Sequence, residues 1–270
     1  MEQGDLLLGR QTPVVDHYAP ELLYPIPRRE GRDALGLGEP PPFEGVDVWH
    51  AWELSWLDAA ERPQSRIGRF TIPASSPNLV ESKSLKLYLN SLNNVVFDDD
   101  AAALACITRD VSAVVGAPVA VVAFAPDDPA MAASQPTGTC IDDSDGRWPR
   151  CEPDAGLLVA GDEVVEEALF SHGLRSLCPV TGQPDWATLW LHYRGRALDH
   201  GALLTYLLSY RQHRGFHEQC VEQIFRDIHA VIAPEFLHLQ AFYTRRGGLD
   251  INPFRSSGGA APPWWRLARQ

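Results

Sequence analysis

Two reactive side chains stand seven residues apart in Ser176-Leu177-Cys178-Pro179-Val180-Thr181-Gly182-Gln183-Pro184-Asp185-Trp186. Cys178 falls in a turn pinned by Pro179 and Pro184 rather than inside an apolar periodic segment, which is how a nucleophilic thiol is presented at a pocket mouth. Taken alone, such a cysteine is more often a small packed hydrophobe. Its companions elsewhere in the chain favour chemistry.

Glu81-Ser82-Lys83-Ser84-Leu85-Lys86 opens a helix with a carboxylate, two hydroxyls and two ammonium groups. It reads either as a capped, solvated helix start or as an anion-binding N-terminus whose lysines meet a phosphate. Arg214-Gly215-Phe216-His217-Glu218-Gln219-Cys220 sets an imidazole and a carboxylate side by side at a second helix start. His213, His217 and Cys220 have the i, i+4, i+7 spacing of a metal face, but no further ligand of known geometry accompanies them, and packing accounts for Cys220. Thr244-Arg245-Arg246-Gly247-Gly248-Leu249-Asp250-Ile251-Asn252-Pro253 is a turn in which backbone and guanidinium can approach a phosphate closely, or a charged surface turn.

The elements that must position these groups follow from hydrophobic period. Alternation predicts strands over 46–56, 66–72, 118–125, 186–193 and 236–243, while helical spacing predicts helices over 83–92, 101–115 and 217–232. Asp199 caps a further helix carrying Leu203, Leu204, Leu207 and Leu208. Residues 163–172 fit helix or strand equally. Both halves thus run strand, strand, helix, helix, strand, and an internal duplication is the economical reading. The fold class expected is α+β, with two modules that each place helices on one face of an antiparallel sheet. An irregular arm is expected over 1–45, the first module over 46–135, a linker or insertion over 136–160, the second module over 161–255 and a tail over 256–270. The stretch 126–160 as a whole shows no period.

Composition narrows the partners. The 270 residues carry 23 Lys and Arg against 35 Asp and Glu, a net charge of -12, with no basic stripe to track nucleic acid. Hydrophobic residues at 45% allow a sizeable core, and no apolar run reaches membrane-spanning length. The N-terminus lacks the layout of a secretion signal, and five irregularly spaced cysteines without a CxxC pair argue for free thiols, so a cytoplasmic protein is expected.

ESKSLKLYLNS, CPVTGQPDW, FHEQC and RRGGLDINP, spread in this order along 47–255, together resemble the long, two-module NADPH-dependent 7-cyano-7-deazaguanine reductases of queuosine biosynthesis. The resemblance implies the tunnelling fold, shared with GTP cyclohydrolase. It implies that Cys178 adds to the nitrile carbon as a thiolate to give a thioimide, with Asp185 transferring the proton to nitrogen. It assigns Glu81, Ser82, Lys83, His217 and Glu218 to the deazaguanine, and Lys83, Ser84, Lys86, Arg246 and Gly247 to NADPH. Because Glu81 to Lys86 and Cys178 with Asp185 lie in different halves, a working pocket is expected between halves or between subunits of a homodimer. No GxGxxG follows a strand, so the dinucleotide phosphates must rest on cationic turns rather than a Rossmann site. The expected partners are a small deazaguanine and a second copy of the chain, with no metal, no nucleic acid and no membrane. A zinc-dependent cyclohydrolase and a catalytically silent purine-like binding module are the rival readings.

Overall fold

The computed structural model describes residues 15–270, and contacts divide the chain into two compact units. The first gathers the described residues through Ala34 with Asp47–Ala132 and Arg245–Asp250. Its elements are β1 (Pro25–Pro27), α1 (Arg28–Ala34), β2 (Glu44–Leu57), β3 (Pro63–Pro73), β4 (Asn78–Val80), α2 (Ser82–Ser91), α3 (Asp100–Val115) and β5 (Ala120–Phe124). β3 lies between β2 and β5 and pairs antiparallel with β5, while β1 pairs antiparallel with β4. Asp99 caps α3 by accepting the Ala102 N–H, and Ala103, Ile107, Val111 and Val115 are its buried stripe. Short elements therefore occupy part of the stretch expected as an irregular arm. Arg28 is buried there, held by the Asp47 carboxylate and by Ser76 Oγ at 3.0 Å.

The second unit gathers Leu35–Val46, Ala133–Thr244 and Ile251–Gln270. It holds β6 (Thr139–Cys140), β7 (Ala160–Ser171), β8 (Arg175–Leu177), β9 (Pro184–Leu198), α4 (His200–Ser209), α5 (His217–Ile232), β10 (Phe236–Tyr243) and β11 (Leu249–Ser256). The strand order is β11-β10-β9-β7-β6, with β8 also on β9; β6 and β7 run parallel and the other registered pairs antiparallel. The ambiguous stretch is thus strand β7. Both units draw on separated stretches of chain because strand pairing ignores sequence order.

Strand period decides what each face meets. Leu189, Leu191 and Tyr193 of β9 and Leu237, Leu239 and Ala241 of β10 share one core with Leu203 and Leu207 of α4 and Val221, Ile224 and Ile228 of α5. Each fully buried Leu or Ile contributes about 1.5–3 kcal/mol relative to exposure. Trp190 and Phe242, of opposite parity, pack instead with Phe254 and Leu267, and Trp265 stands edge to face on Trp190 with centroids 5.3 Å apart. The C-terminal tail is therefore the cover of the second sheet face. Among the described residues no helix is long and apolar enough to cross a membrane.

The two helix pairs repeat each other bond for bond. In the first, Tyr88 Oη donates to Asp110 Oδ2 at 2.7 Å, Arg109 Nε to Asp110 Oδ1 at 2.9 Å and Ser91 Oγ to the Tyr88 carbonyl at 2.6 Å. In the second, Tyr206 Oη donates to Asp227 Oδ2 at 2.7 Å, Arg226 Nε to Asp227 Oδ1 at 2.8 Å and Ser209 Oγ to the Tyr206 carbonyl at 2.6 Å. α2 and α4 each have 10 residues and an acidic N-cap, Glu81 and Asp199, and α3 and α5 each have 16. This shared set is what the duplication read from the sequence leads one to expect.

Candidate active site

The spacing of Cys178 and Asp185 becomes geometry through one hairpin. β8 and β9 pair Arg175 with Trp186, Ser176 with Asp185 and Leu177 with Pro184. The Cys178 N–H donates to the Gln183 carbonyl at 2.9 Å, and the Gly182 N–H donates to the Cys178 carbonyl at 2.9 Å, so Cys178 stands opposite Gln183 at the loop mouth. By alternation Ser176, Cys178 and Asp185 share a face, with Cys178 and Asp185 as diagonal neighbours. Both are withdrawn from solvent, Cys178 at 6% and Asp185 at 3% exposure. A one-residue change of register would send one of them to the other face.

α5 brings the third and fourth groups. His217 is its first residue and Glu218 its second, where unpaired N–H groups favour a carboxylate. His217 Nε2 is 3.7 Å from Asp185 Oδ1, and the Tyr243 ring meets the imidazole edge to face at 4.0 Å. Glu218 is buried, with 4% exposure. Burial pushes the Cys220 thiol up to about 12, with the Asp185 and Glu218 carboxylates adding to the rise. Cys220 is therefore a protonated, inert thiol beside the site rather than its nucleophile. His213 lies before the helix with Nδ1 2.8 Å from Glu152 Oε2, and it does not join His217 and Cys220 as a compact ligand set.

Two site residues escape sequence reasoning. Ser176 Oγ and Tyr243 Oη are buried beside the Cys220 thiol and close enough to act on it and on each other, while Tyr243 also feels the Asp185 and Glu218 charges. Their one sequence signal is position: Ser176 is two residues before Cys178, and Tyr243 ends a strand.

In the first unit, Glu81 caps α2 with both oxygens, accepting the Lys83 N–H at 2.9 Å and the Ser84 N–H at 2.7 Å. Burial raises its carboxyl, while those bonds and the Lys83 and Lys86 charges pull it down. Ser84 Oγ, fully buried, donates to the Glu81 carbonyl at 2.7 Å and accepts the Tyr24 N–H at 3.0 Å, so this hydroxyl holds the helix start. Ser82 and Lys83 are partly exposed at the same start.

The Arg246–Leu249 turn supplies the remaining charge. Gly247 and Gly248 have φ of 58° and 82°, and the Arg246 N–H reaches the Leu249 carbonyl at 2.8 Å, a turn with positive φ at both central positions that side chains resist. A Cβ on Gly247 would run into the Lys86 ammonium, with Lys86 Cε at 2.8 Å. Burial holds Lys86 below the usual lysine range, and the Arg246 charge presses it further down. Lys83 acts in the same direction and Glu81 against it. Like charges drawn together around a glycine turn form a seat for an anionic group, and the residues present fit the phosphates of a dinucleotide.

Matching the repeated helices shows a division between copies. Lys83 and Lys86 of α2 correspond to Gly201 and Leu204 of α4, so the second copy lacks the cations. His217, Glu218 and Cys220 of α5 correspond to Asp100, Ala101 and Ala103 of α3, so the first copy lacks the imidazole and carboxylate pair.

Comparison with known proteins gives concordant matches. A family model described as "Nitrile reductase, 7-cyano-7-deazaguanine-reductase N-term" matches residues 14–123, and one described as "QueF-like protein" matches 184–261. A relative from Chromohalobacter salexigens, named NADPH-dependent 7-cyano-7-deazaguanine reductase, is 51% identical over 265 residues, covering 97% of this chain and 96% of its own. Relatives of the same name from Dechloromonas aromatica and Acinetobacter baumannii are 50% and 49% identical, covering 95% and 98% of this chain and 92% and 98% of their own. A solved structure of an archaeosine synthase, QueF-like, in the apo form covers 37% of this chain and 98% of its own at 19% identity, with a TM-score of 0.32, too distant to bear on the fold.

Proposed function

The chain belongs to the 7-cyano-7-deazaguanine reductase family, and we propose that it reduces the nitrile of 7-cyano-7-deazaguanine to the aminomethyl group through a covalent thioimide on Cys178, as a step of queuosine biosynthesis. The observation that carries this reading is the β8–β9 hairpin, which sets the Cys178 thiol and the Asp185 carboxyl on one shielded face.

The steps balance as follows. The Cys178 sulfur bonds to the nitrile carbon, one C–N π bond breaks, and Asp185 delivers a proton to nitrogen. A nitrile carbon accepts hydride poorly, whereas the thioimide carbon is imine-like and accepts it readily. NADPH supplies hydride, two equivalents per product. Addition of the first hydride and a proton gives a tetrahedral carbon, from which the Cys178 thiol leaves. The resulting imine takes up the second hydride and a second proton to give the amine. Asp185 is shielded from water on this face and must carry a proton at the moment of addition.

His217 and Glu218 bind the deazaguanine, the Glu218 carboxylate accepting the guanine-like N1–H and 2-amino protons in a paired geometry. Glu81, Ser82 and Lys83 complete recognition, and Lys83, Lys86, Arg246 and the Gly247 backbone hold the NADPH phosphates, with Ser84 shaping that cradle. The acting form is a homodimer in the cytoplasm, and no nucleic acid is bound directly.

Intact-protein mass spectrometry tests the reading. Mixing with 7-cyano-7-deazaguanine and no NADPH adds the mass of one substrate to the wild type and none to Cys178→Ala, and NADPH discharges the adduct. A folded wild type that forms no adduct moves the assignment to a cyclohydrolase-like or binding-only protein.

A further inference from the structure

Cys140 ends β6 and Asp142 follows two residues on, so in extended chain thiol and carboxylate project to the same side. Cys140 is registered with Phe170 in the parallel β6–β7 ladder, and the Ile141 N–H donates to the Phe170 carbonyl at 2.9 Å, which brings His172 to the same edge. A sulfur, a carboxylate oxygen and a ring nitrogen thus lie within 4.8 Å of one another, the one such group of three among the described residues.

We infer that Cys140, Asp142 and His172 bind one divalent transition-metal ion, Zn²⁺ by ligand class, with a fourth position open to solvent. Thiolate, imidazole and carboxylate are the ordinary zinc set and poorly suit Mg²⁺ or Ca²⁺. The ligands are held in advance, as metal ligands are by their outer partners. His172 Nδ1 lies 2.9 Å from Thr188 Oγ1, which fixes the ring, and Asp142 accepts the Ser171 hydroxyl and the His172 N–H at 3.0 Å. Arg269 is the opposing cation, donating to the His172 carbonyl at 2.9 Å and to Thr188 Oγ1 at 3.0 Å. Burial first, then the Asp142 and Asp143 carboxylates, hold the Cys140 thiol above its usual range, so an ion must displace its proton to bind. His172, Thr188 and Arg269 line a cavity of about 280 Å³ beside this group. Binding releases the thiol proton to solvent. The inference uses none of the nitrile-reducing residues and stands apart from that reading.

Cobalt(II) titration of the whole chain is the test, because a cobalt–thiolate bond gives a near-ultraviolet charge-transfer band. The expected result is one equivalent bound with that band, its loss in Cys140→Ser, and at least ~tenfold weaker binding in Asp142→Asn and His172→Gln. Cys140 is exposed, so its replacement spares the core, and circular dichroism confirms folding. Cys178→Ala retains the band. A band that survives Cys140→Ser, a band that disappears in Cys178→Ala, or no band at saturating cobalt overturns the assignment.

Discussion

His217 Nε2 stands 3.7 Å from Asp185 Oδ1, with the imidazole held between that carboxyl and the edge-to-face Tyr243 ring. The start of α5 thereby reaches the carboxyl that the β8–β9 hairpin sets beside Cys178.

Asp185→Asn keeps nearly the same shape and hydrogen-bonding size while removing the acid. The variant is expected to fold as wild type and to form the thioimide about 10²–10⁴-fold more slowly. Rapid-quench mass spectrometry of the adduct measures this, and wild-type adduct kinetics would remove Asp185 from the proton step.

Glu218→Leu deletes a buried charged acceptor. Loss of a hydrogen bond to a charged group costs about 1.5–3 kcal/mol, so the substrate Kd should rise roughly ten- to hundredfold. Calorimetric titration of the Cys178→Ala background reads binding without turnover, and an unchanged Kd there contradicts the assigned role.

Lys86 gives a pH dependence with a definite sign. Its folded pKa lies below the ordinary 10.5, so between the two values the unfolded chain binds more protons. Stability therefore rises with pH across that alkaline window while affinity for a phosphate-bearing cofactor falls. KM for NADPH should climb with pH before an ordinary lysine titrates, and Lys86→Met should raise KM at neutral pH and flatten the climb. A Lys86→Met profile that still climbs like wild type counts against this group.

Gly247→Ala places a methyl at positive φ and against the Lys86 side chain. The left-handed conformation alone costs about 1–2 kcal/mol, and moving Lys86 disturbs the cationic seat. Lower thermal stability together with a raised KM for NADPH is expected, whereas kcat at saturating cofactor changes little. Steady-state kinetics and a melting curve separate the two effects.

Period made much of this fold legible. The helices over 82–91, 100–115 and 217–232 and the strands over 63–73, 184–198 and 236–243 follow from spacing of apolar side chains, which is why their expected ranges differ by only a few residues from those found. β11 was hidden because Asp250, Asn252, Pro253 and Arg255 do not look like a strand buried along its length. They persist there because Arg255 meets Glu222 at 2.9 Å and Asn252 Oδ1 accepts the Tyr243 N–H at 3.1 Å. Cys178 and Asp185 were legible because a hairpin converts their separation into a shared face. Ser176 and Tyr243 were not, since a buried hydroxyl in an apolar strand is indistinguishable by pattern from core. Likewise a two-residue strand such as β6 is too short to show any period at all.

Lys83 and Lys86 of one helix pair stand where the other has Gly201 and Leu204, and His217 and Glu218 stand where the first has Asp100 and Ala101. Neither helix pair alone carries both the two lysines and the imidazole–carboxylate pair, so a single module cut from this chain would hold only half of the candidate set.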